Sequence, residues 1–112
     1  VLCRAHDTGV VEGDPSLHAE VNVIREACRL RRSGNLCGAV LVSSCEPCPM
    51  CASLAVWANV TTIVYGASIA EMMALGQARI DITATEVAAK GPGLVEVIGG
   101  IQREQCLAFY GG

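Results

Sequence analysis

Two short stretches of the sequence carry side chains whose types and spacing suit metal chemistry. Residues 44–51 read Ser-Cys-Glu-Pro-Cys-Pro-Met-Cys, so Cys48 and Cys51 offer two thiolates with two residues between them. His18 offers an imidazole, and Glu20 follows two residues later as a carboxylate that need not touch the metal. Three protein ligands leave the fourth position of a tetrahedral zinc ion open for water, as in catalytic rather than structural sites. The pattern therefore predicts a catalytic zinc site at His18, Cys48 and Cys51.

Other kinds of cysteine site fit this pattern less well. A redox pair needs no His-x-Glu, and a zinc finger needs a fourth cysteine or histidine. Cys45, Cys48 and Cys51 also begin like a bacterial iron–sulfur run, which requires a fourth cysteine after three more residues, followed by proline. Here those two positions are Ala55 and Val56, so the iron–sulfur interpretation fails.

The composition indicates one α/β domain in a reducing compartment. The chain has 112 residues, of which 52% are hydrophobic and 17% charged, so residues 1–112 suffice for one domain with its own core. Seven cysteines, an odd number, with no export signal or transmembrane-length stretch, favour reduced thiols and a cytoplasmic location. Because the chain begins at Val1 within an apolar run, we expect an N-terminal segment of the domain to be missing.

The charge of the chain argues against a nucleic-acid partner. The formal net charge is −3 and the pI is about 5.2, and the sequence has no basic stripe of the kind that tracks phosphates. Four arginines cluster near residues 25–32, where we predict a solvated helix face with cations suited to the helix end. A small molecule is the expected substrate, and no membrane partner is expected.

Strand and helix patterns alternate along the chain and predict a mostly parallel sheet. We expect strands at residues 1–5, 38–43, 61–65 and 94–98, the second of them an unalternating apolar run typical of a buried parallel strand. Helices are expected over residues 16–32, 50–59, 69–75 and 101–109, with a short one opened by the capping-box pattern Thr83-Ala84-Thr85-Glu86. Asp14 and Pro15 are predicted to start the first helix.

These elements bring the candidate ligands to one edge of the sheet. His18 falls in the first turn of the helix predicted to open at Asp14, and Cys48 and Cys51 lie at the start of the next helix. Helix N-termini in an open α/β sheet lie at the carboxyl ends of the strands, where ligands bind. The 30-residue gap between His18 and Cys48 accommodates a helix and a strand, so the two helix starts are expected to be adjacent.

The order His-x-Glu followed by Pro-Cys-x-x-Cys is the signature of zinc deaminases. On residues 14–20, residues 44–51 and the closing Val97-x-Gly99-Gly100, the chain resembles the nucleobase and tRNA-adenosine branch of the cytidine deaminase-like superfamily. The resemblance implies a three-layer α/β/α fold with a mostly parallel mixed central sheet. Its members usually carry a further N-terminal helix and strand. It also implies one zinc ion per subunit, with a bound water.

The resemblance assigns roles to individual residues. Glu20 would be the catalytic acid and base, taking a proton from water, giving it to a ring nitrogen and protonating the departing amine. Ala19 and Pro47 would contact the substrate through their backbones. Eleven residues before the histidine ligand this branch has an asparagine that hydrogen-bonds the base, and here that position is Asp7. Because an ionised Asp only accepts hydrogen bonds, Asp7 would suit a base edge rich in N–H donors, such as guanine.

We therefore predict hydrolytic deamination of a free base, guanine first, with release of ammonia. Residues 44–51 and the following Trp57-Ala58 are similar to those of bacterial guanine deaminases. The alternatives are deamination of adenosine in tRNA, of cytosine, or of another aminated heterocycle. A non-catalytic zinc-stabilised binding module is a further alternative, but it would not need Glu20. The helix at residues 50–59 is apolar on all sides, which predicts a homodimer.

Overall fold

A three-stranded parallel sheet organises the chain in the computed structural model, which describes residues 1–111. The elements in order are α1 (Gly9–Glu12), α2 (Ala19–Arg31), β1 (Val40–Cys45), α3 (Pro49–Trp57), β2 (Thr62–Ala67), α4 (Ile69–Ala74), α5 (Ala84–Lys90), β3 (Glu96–Ile98) and α6 (Arg103–Gly111). The strands lie in the order β1-β2-β3, with Ile63 opposite Leu41 on one side and Val97 on the other. Among residues 1–111, no helix is long and apolar enough to cross a membrane.

Helices cover both faces of this sheet, which confirms the predicted three-layer α/β/α class. On one face, Leu41 and Ile63 pack into a buried cluster with Ile24 of α2 and Ala55 of α3. Gly66 points to the opposite face, since successive residues of a strand alternate, and there it meets Cys106 of α6. The strands within residues 1–111 are all parallel, so an antiparallel member of the predicted mixed sheet is not found among them.

The start of α5 was correctly predicted from its capping residues, and α4 begins in the same way. Thr83 accepts a hydrogen bond from the Glu86 amide at 3.0 Å, and the Glu86 carboxylate accepts one from the Thr83 amide at 3.2 Å. Ser68 and Glu71 form the same reciprocal pair at the start of α4. These capping boxes satisfy backbone donors that have no partner within the helix.

The start of α2 was predicted wrongly, because Asp14 caps a turn instead of the helix. Its Oδ1 accepts from the Ser16 amide at 2.9 Å and from the Ser16 hydroxyl at 2.6 Å. This local bonding competes with helix formation, so α2 begins at Ala19 with His18 as its N-cap. The candidate ligand His18 therefore precedes the helix and does not lie within its first turn.

The strand predicted for residues 1–5 is also absent from the structure. Residues 1–8 form neither helix nor strand, and a short helix, α1, follows where a loop was expected. Side chains hold this segment against α2 instead of a backbone ladder. The Asn22 amide donates to the His6 carbonyl and to the Thr8 hydroxyl, both at 2.9 Å.

Strand β1 is buried on one face only, contrary to the prediction of a strand buried on both. Leu41 is buried in the core, whereas Val40 and Val42 are 56% and 72% exposed. The helix described on that face, α6, packs mainly against β2 and leaves Val40 and Val42 uncovered. The apolar sequence of β1 therefore does not indicate whether residues 1–111 cover one face of the strand or both.

Gly66 marks a close contact between the sheet and α6, and replacing it with Ala is expected to destabilise the fold. An added Cβ would lie 2.3 Å from Cys106 Sγ and 2.8 Å from the Ser44 carbonyl oxygen. Overpacking of this kind costs about 1–3 kcal/mol of unfolding free energy. Urea denaturation measures the effect. Gly34→Ala is the matched control, because nothing lies within 4 Å of its added Cβ. Equal stabilities of the two variants would contradict the contact.

Candidate metal centre

The three predicted ligands converge on one point. His18 Nδ1 lies 3.5 Å from Cys48 Sγ and 3.4 Å from Cys51 Sγ, and the two sulfur atoms are 3.6 Å apart. A tetrahedral zinc ion with Zn–S of ~2.3 Å and Zn–N of ~2.0–2.1 Å would hold its donors about 3.5–3.8 Å apart. The donor set and its spacing therefore fit zinc, and three protein donors leave one position for a further ligand.

Two helix starts place these ligands. His18 is the N-cap of α2 and Cys48 the N-cap of α3, both with extended backbone, so each side chain precedes a helix. Pro49 occupies the first turn of α3, where its missing N–H costs no hydrogen bond. Cys51 is fully buried and lies in the same turn as Pro49. Its sulfur therefore lies beside that of Cys48. The prediction that both ligand groups stand at helix N-termini is confirmed.

The two thiols differ in their acidity. The pKa of Cys48 is lowered to about 5, mainly by the hydrogen bond shared with Cys51 and also by the nearby His18, against the effect of burial. The same contact with Cys48, together with burial, raises the pKa of Cys51. A sulfur that is already a thiolate near neutral pH is a ready metal ligand, and metal binding would displace the remaining proton.

Glu20 lies beside the ligands without joining them. It sits in the first turn of α2, where burial and then the Cys48 thiolate raise the pKa of its carboxyl group. Its side chain also contacts Cys51, which lowers that pKa in part. A carboxyl group that is largely buried next to a metal position is placed to exchange protons with whatever occupies the open ligand position.

The predicted substrate residues border the same region. Asp7 and His18 line one cavity of about 380 Å³. One Asp7 carboxylate oxygen accepts from the Gly9 amide at 2.8 Å. Ala19 follows His18 as the first residue of α2 and is half-buried, and the side chain of Pro47 is fully buried. A substrate contact with Pro47 would therefore use its backbone, as the resemblance implies, and all three roles stay predictions.

Two side chains close to the metal centre, those of Tyr110 and Glu46, have no role in the predictions made from the sequence. The Tyr110 hydroxyl lies 2.6 Å from the Ser44 hydroxyl, and its pKa is raised by burial and also by Glu20. Thus α6 brings an aromatic side chain to the end of β1, near the Glu20 carboxylate. Glu46 is buried with both oxygens hydrogen-bonded. A single carboxylate between an apolar strand and Pro47 was the available signal for Glu46.

Of the five cysteines outside the metal centre, one lies at the surface. Cys3, Cys28, Cys45 and Cys106 are partly buried, whereas Cys37 is exposed in the turn before β1. The Cys37 carbonyl accepts from the Arg31 side chain at 3.0 Å, and its amide donates to the Asn35 side chain at 3.0 Å. Its backbone bonds thus place it at the surface, and all seven cysteines are free thiols.

Comparison with known sequences gives the same class of site. Residues 1–67 match the family described as the cytidine and deoxycytidylate deaminase zinc-binding region. Over 67 residues the chain is 36% identical to guanine deaminase of Bacillus subtilis and 42% identical to the tRNA-specific adenosine deaminase of that organism. These matches cover 60% of this chain and 43% and 42% of the two relatives, so the chain spans less than half of their length.

Solved structures agree on the fold. Guanine deaminase from Nitrosomonas europaea superposes with a TM-score of 0.79 at 24% identity, over 95% of this chain and 61% of that one. Guanine deaminase from Bacillus subtilis gives a TM-score of 0.65 at 33% identity, over 68% of this chain and 48% of that one. The arrangement of strands and helices described above is thus shared with proteins of this kind.

Proposed function

Because this chain belongs to the cytidine and deoxycytidylate deaminase zinc-binding family, we propose that it catalyses the hydrolytic deamination of a nucleobase, with guanine as the favoured substrate. The observation that carries the proposal is the meeting of His18, Cys48 and Cys51 within 3.6 Å of one another, with the partly buried Glu20 beside them. This donor set with a neighbouring carboxylate supports hydrolysis rather than a purely structural role for the metal.

Each residue of the site has a distinct task in the proposed reaction. His18, Cys48 and Cys51 would hold the zinc ion, which supplies a Lewis acid that makes water nucleophilic at neutral pH. Glu20 takes a proton from the attacking water and delivers it to a ring nitrogen. It then takes the remaining proton of the hydroxyl group added to the ring carbon and passes it to the amine, which leaves as ammonia as the carbon–nitrogen bond breaks. The backbones of Ala19 and Pro47 orient the ring, and Asp7 accepts hydrogen bonds from its edge.

Asp7 is the residue on which the preference for guanine depends, and Asp7→Asn is expected to lower it. The asparagine oxygen can still accept from the Gly9 amide, which Asp7 bonds at 2.8 Å, while the new amide group donates where Asp7 accepted. Sites built to hydrogen-bond a substrate discriminate strongly against mismatched edges, so we expect the ratio of guanine to adenine turnover to fall at least about tenfold.

The ratio of kcat/KM for guanine to that for adenine and cytosine measures this change. Glu12→Gln is the matched control, because it removes one negative charge from the exposed surface of the neighbouring α1. The control is expected to keep the wild-type ratio. Unchanged ratios in Asp7→Asn, or an equal change in the control, would contradict the role given to Asp7.

Adenosine in tRNA is the second candidate substrate, and the 42% identity to the Bacillus subtilis tRNA-specific adenosine deaminase favours it. The charge of this chain argues against that substrate. The formal net charge of the chain is −3, and of the four arginines near residues 25–32, Arg29 is paired with Glu26. A flipped base in RNA requires a basic surface along the phosphates.

Ammonia release from guanine, adenine, cytosine and a transfer RNA distinguishes these possibilities in one assay. Fastest release from guanine supports the proposal, and fastest release from the tRNA supports the second candidate. Release from none of them by the zinc-loaded protein favours the alternative of a non-catalytic binding module.

We also propose that two copies associate through α3. Met50 and Trp57 lie seven residues apart on one side of this helix and are 39% and 76% exposed, although the opposite side is buried. Trp57→Glu is expected to convert a dimer into a monomer, as measured by light scattering, because a charge would replace the apolar centre of the contact. Val10→Glu, at an exposed valine of α1, is the control and should stay dimeric. A monomeric wild type would contradict the proposal.

A further inference from the structure

We propose that Glu46 is a positioning residue that fixes the ligand loop, which is residues 46–48, and thereby sets the affinity of the zinc site. The inference rests on the metal site of the proposed function, but it concerns a residue outside the ligand set. Among residues 1–111, Glu46 is the one buried charged side chain, with 4% of its surface exposed. It lies between the end of β1 and Cys48, two residues before the first thiolate.

Both carboxylate oxygens of Glu46 bind helix N-termini. Oε1 accepts from the Ile69 amide at 2.9 Å, and Oε2 accepts from the Ala84 amide at 2.7 Å. These residues occupy the same position in two helices, since each is the first residue of its helix, α4 or α5. The capping boxes at Ser68 and Thr83 satisfy the third residue of each helix and leave the first one to Glu46.

Both amides are shielded from water. Ile69 and Ala84 are 1% and 0% exposed, so in the folded protein their amides depend on Glu46 and not on solvent for an acceptor. A buried donor without a partner is unfavourable, and the structure must move to restore one. Because Glu46 is the shared acceptor, such a movement would shift the loop that carries it.

A short and stiff segment joins Glu46 to the sulfur of Cys48. The Glu46 amide donates to the Ala67 carbonyl at 2.7 Å, which ties the loop to the end of β2. Pro47 is buried and has a fixed φ angle, and Cys48 follows as the N-cap of α3. The path from the Glu46 side chain to the Cys48 sulfur is therefore short and stiff. A displacement of Glu46 would change the distance from Cys48 Sγ to His18 and Cys51.

A carboxylate suits this position because two acceptors are needed. Glutamine has the same size but offers one oxygen and one NH₂ group, which would face a backbone N–H. Aspartate keeps both oxygens on a side chain one methylene shorter. Glu46→Gln thus tests the second acceptor with almost no change in volume, and Glu46→Asp tests the reach.

The test compares zinc binding in the wild type, Glu46→Gln and the control Glu86→Gln. Glu86 is exposed and belongs to the capping box of α5, so its replacement weakens the same helix start without touching the ligand loop. Zinc affinity is measured by competition with a chelator, and cobalt(II) substituted for zinc reports the ligand geometry through its thiolate charge-transfer and ligand-field bands. Circular dichroism verifies that each variant is folded.

We expect Glu46→Gln to bind zinc about 10–100-fold more weakly than the wild type and to show altered cobalt bands, as is typical when a residue supporting a ligand is lost. Glu86→Gln should match the wild type in both. Wild-type affinity and bands in Glu46→Gln would overturn the proposal, as would an equal loss in Glu86→Gln. If Glu46→Gln does not fold, Glu46→Asp is measured by the same criteria. Failure of the wild type to release ammonia would contradict the proposed function but leave this comparison intact.

Discussion

Glu20→Gln is expected to slow ammonia release by about 10²–10⁴-fold while the zinc ion stays bound, because a positioned acid–base group contributes a factor of that size. The amide has the shape of the carboxylate but cannot carry a proton between water, ring and leaving amine. Glu20 lies beside Cys51 and is not among the residues whose donor atoms converge on the metal position. Initial rates on the best substrate and zinc per chain, measured by mass spectrometry, are the two readouts.

Glu26→Gln is the matched control for that variant. Glu26 stands on the same helix, α2, and pairs with Arg29 at the surface, with Oε2 accepting from Arg29 Nε at 2.9 Å. Its replacement should leave both the rate and the zinc content unchanged. Retention of more than about a tenth of the activity in Glu20→Gln would contradict the assigned role. Loss of zinc together with activity would instead make Glu20 part of the metal site.

Cys51→Ala is expected to abolish both zinc binding and turnover. Cys51 is fully buried and its sulfur is within 3.6 Å of both other donors, so no solvent-exposed group can take its place. Supporting residues alone contribute about 10–100-fold to metal affinity, and removal of a direct ligand is expected to exceed that range. The variant should stay folded, since the substitution deletes only one buried atom from α3.

Cys37→Ser is the control for the cysteine variant, because Cys37 is the exposed free thiol before β1. It should bind zinc and turn over substrate as the wild type does, which separates loss of a ligand from loss of any thiol. Zinc content close to the wild-type level in Cys51→Ala would show that the metal is held by a different set of residues.

The three candidate ligands, His18, Cys48 and Cys51, could be predicted from the sequence because their chemistry and their spacing each restrict the choice. Only three donors were needed, and Cys48 and Cys51 stand three residues apart at the start of a helix, whatever its exact first residue. The predicted alternation of strands and helices then required the His18 segment to reach the same edge of the sheet. Both inferences tolerate an error of a few residues at a helix end, which is why the shift in the start of α2 did not affect them.

Features that depend on a choice between two local structures could not be predicted in this way. Asp14 followed by Pro15 suits a helix start and a turn equally well, and the Ser16 hydroxyl decides for the turn. The role of Glu46 depends on amides 23 and 38 residues further along the chain, and no local pattern specifies such a contact. The exposure of Val40 and Val42 depends on which strand α6 covers, which the apolar sequence of β1 does not encode.

The bonds of Glu46 also imply an order of events during folding. The ligand loop is anchored to α4 and α5, whose first residues are Ile69 and Ala84, so it reaches its final shape only after both helices have formed and docked. Contacts between distant positions form late, because the intervening chain must first be closed into a loop. We therefore expect His18 and the thiolates to acquire their final spacing near the end of folding, so that a metal ion would bind a nearly complete domain rather than serve as its nucleus.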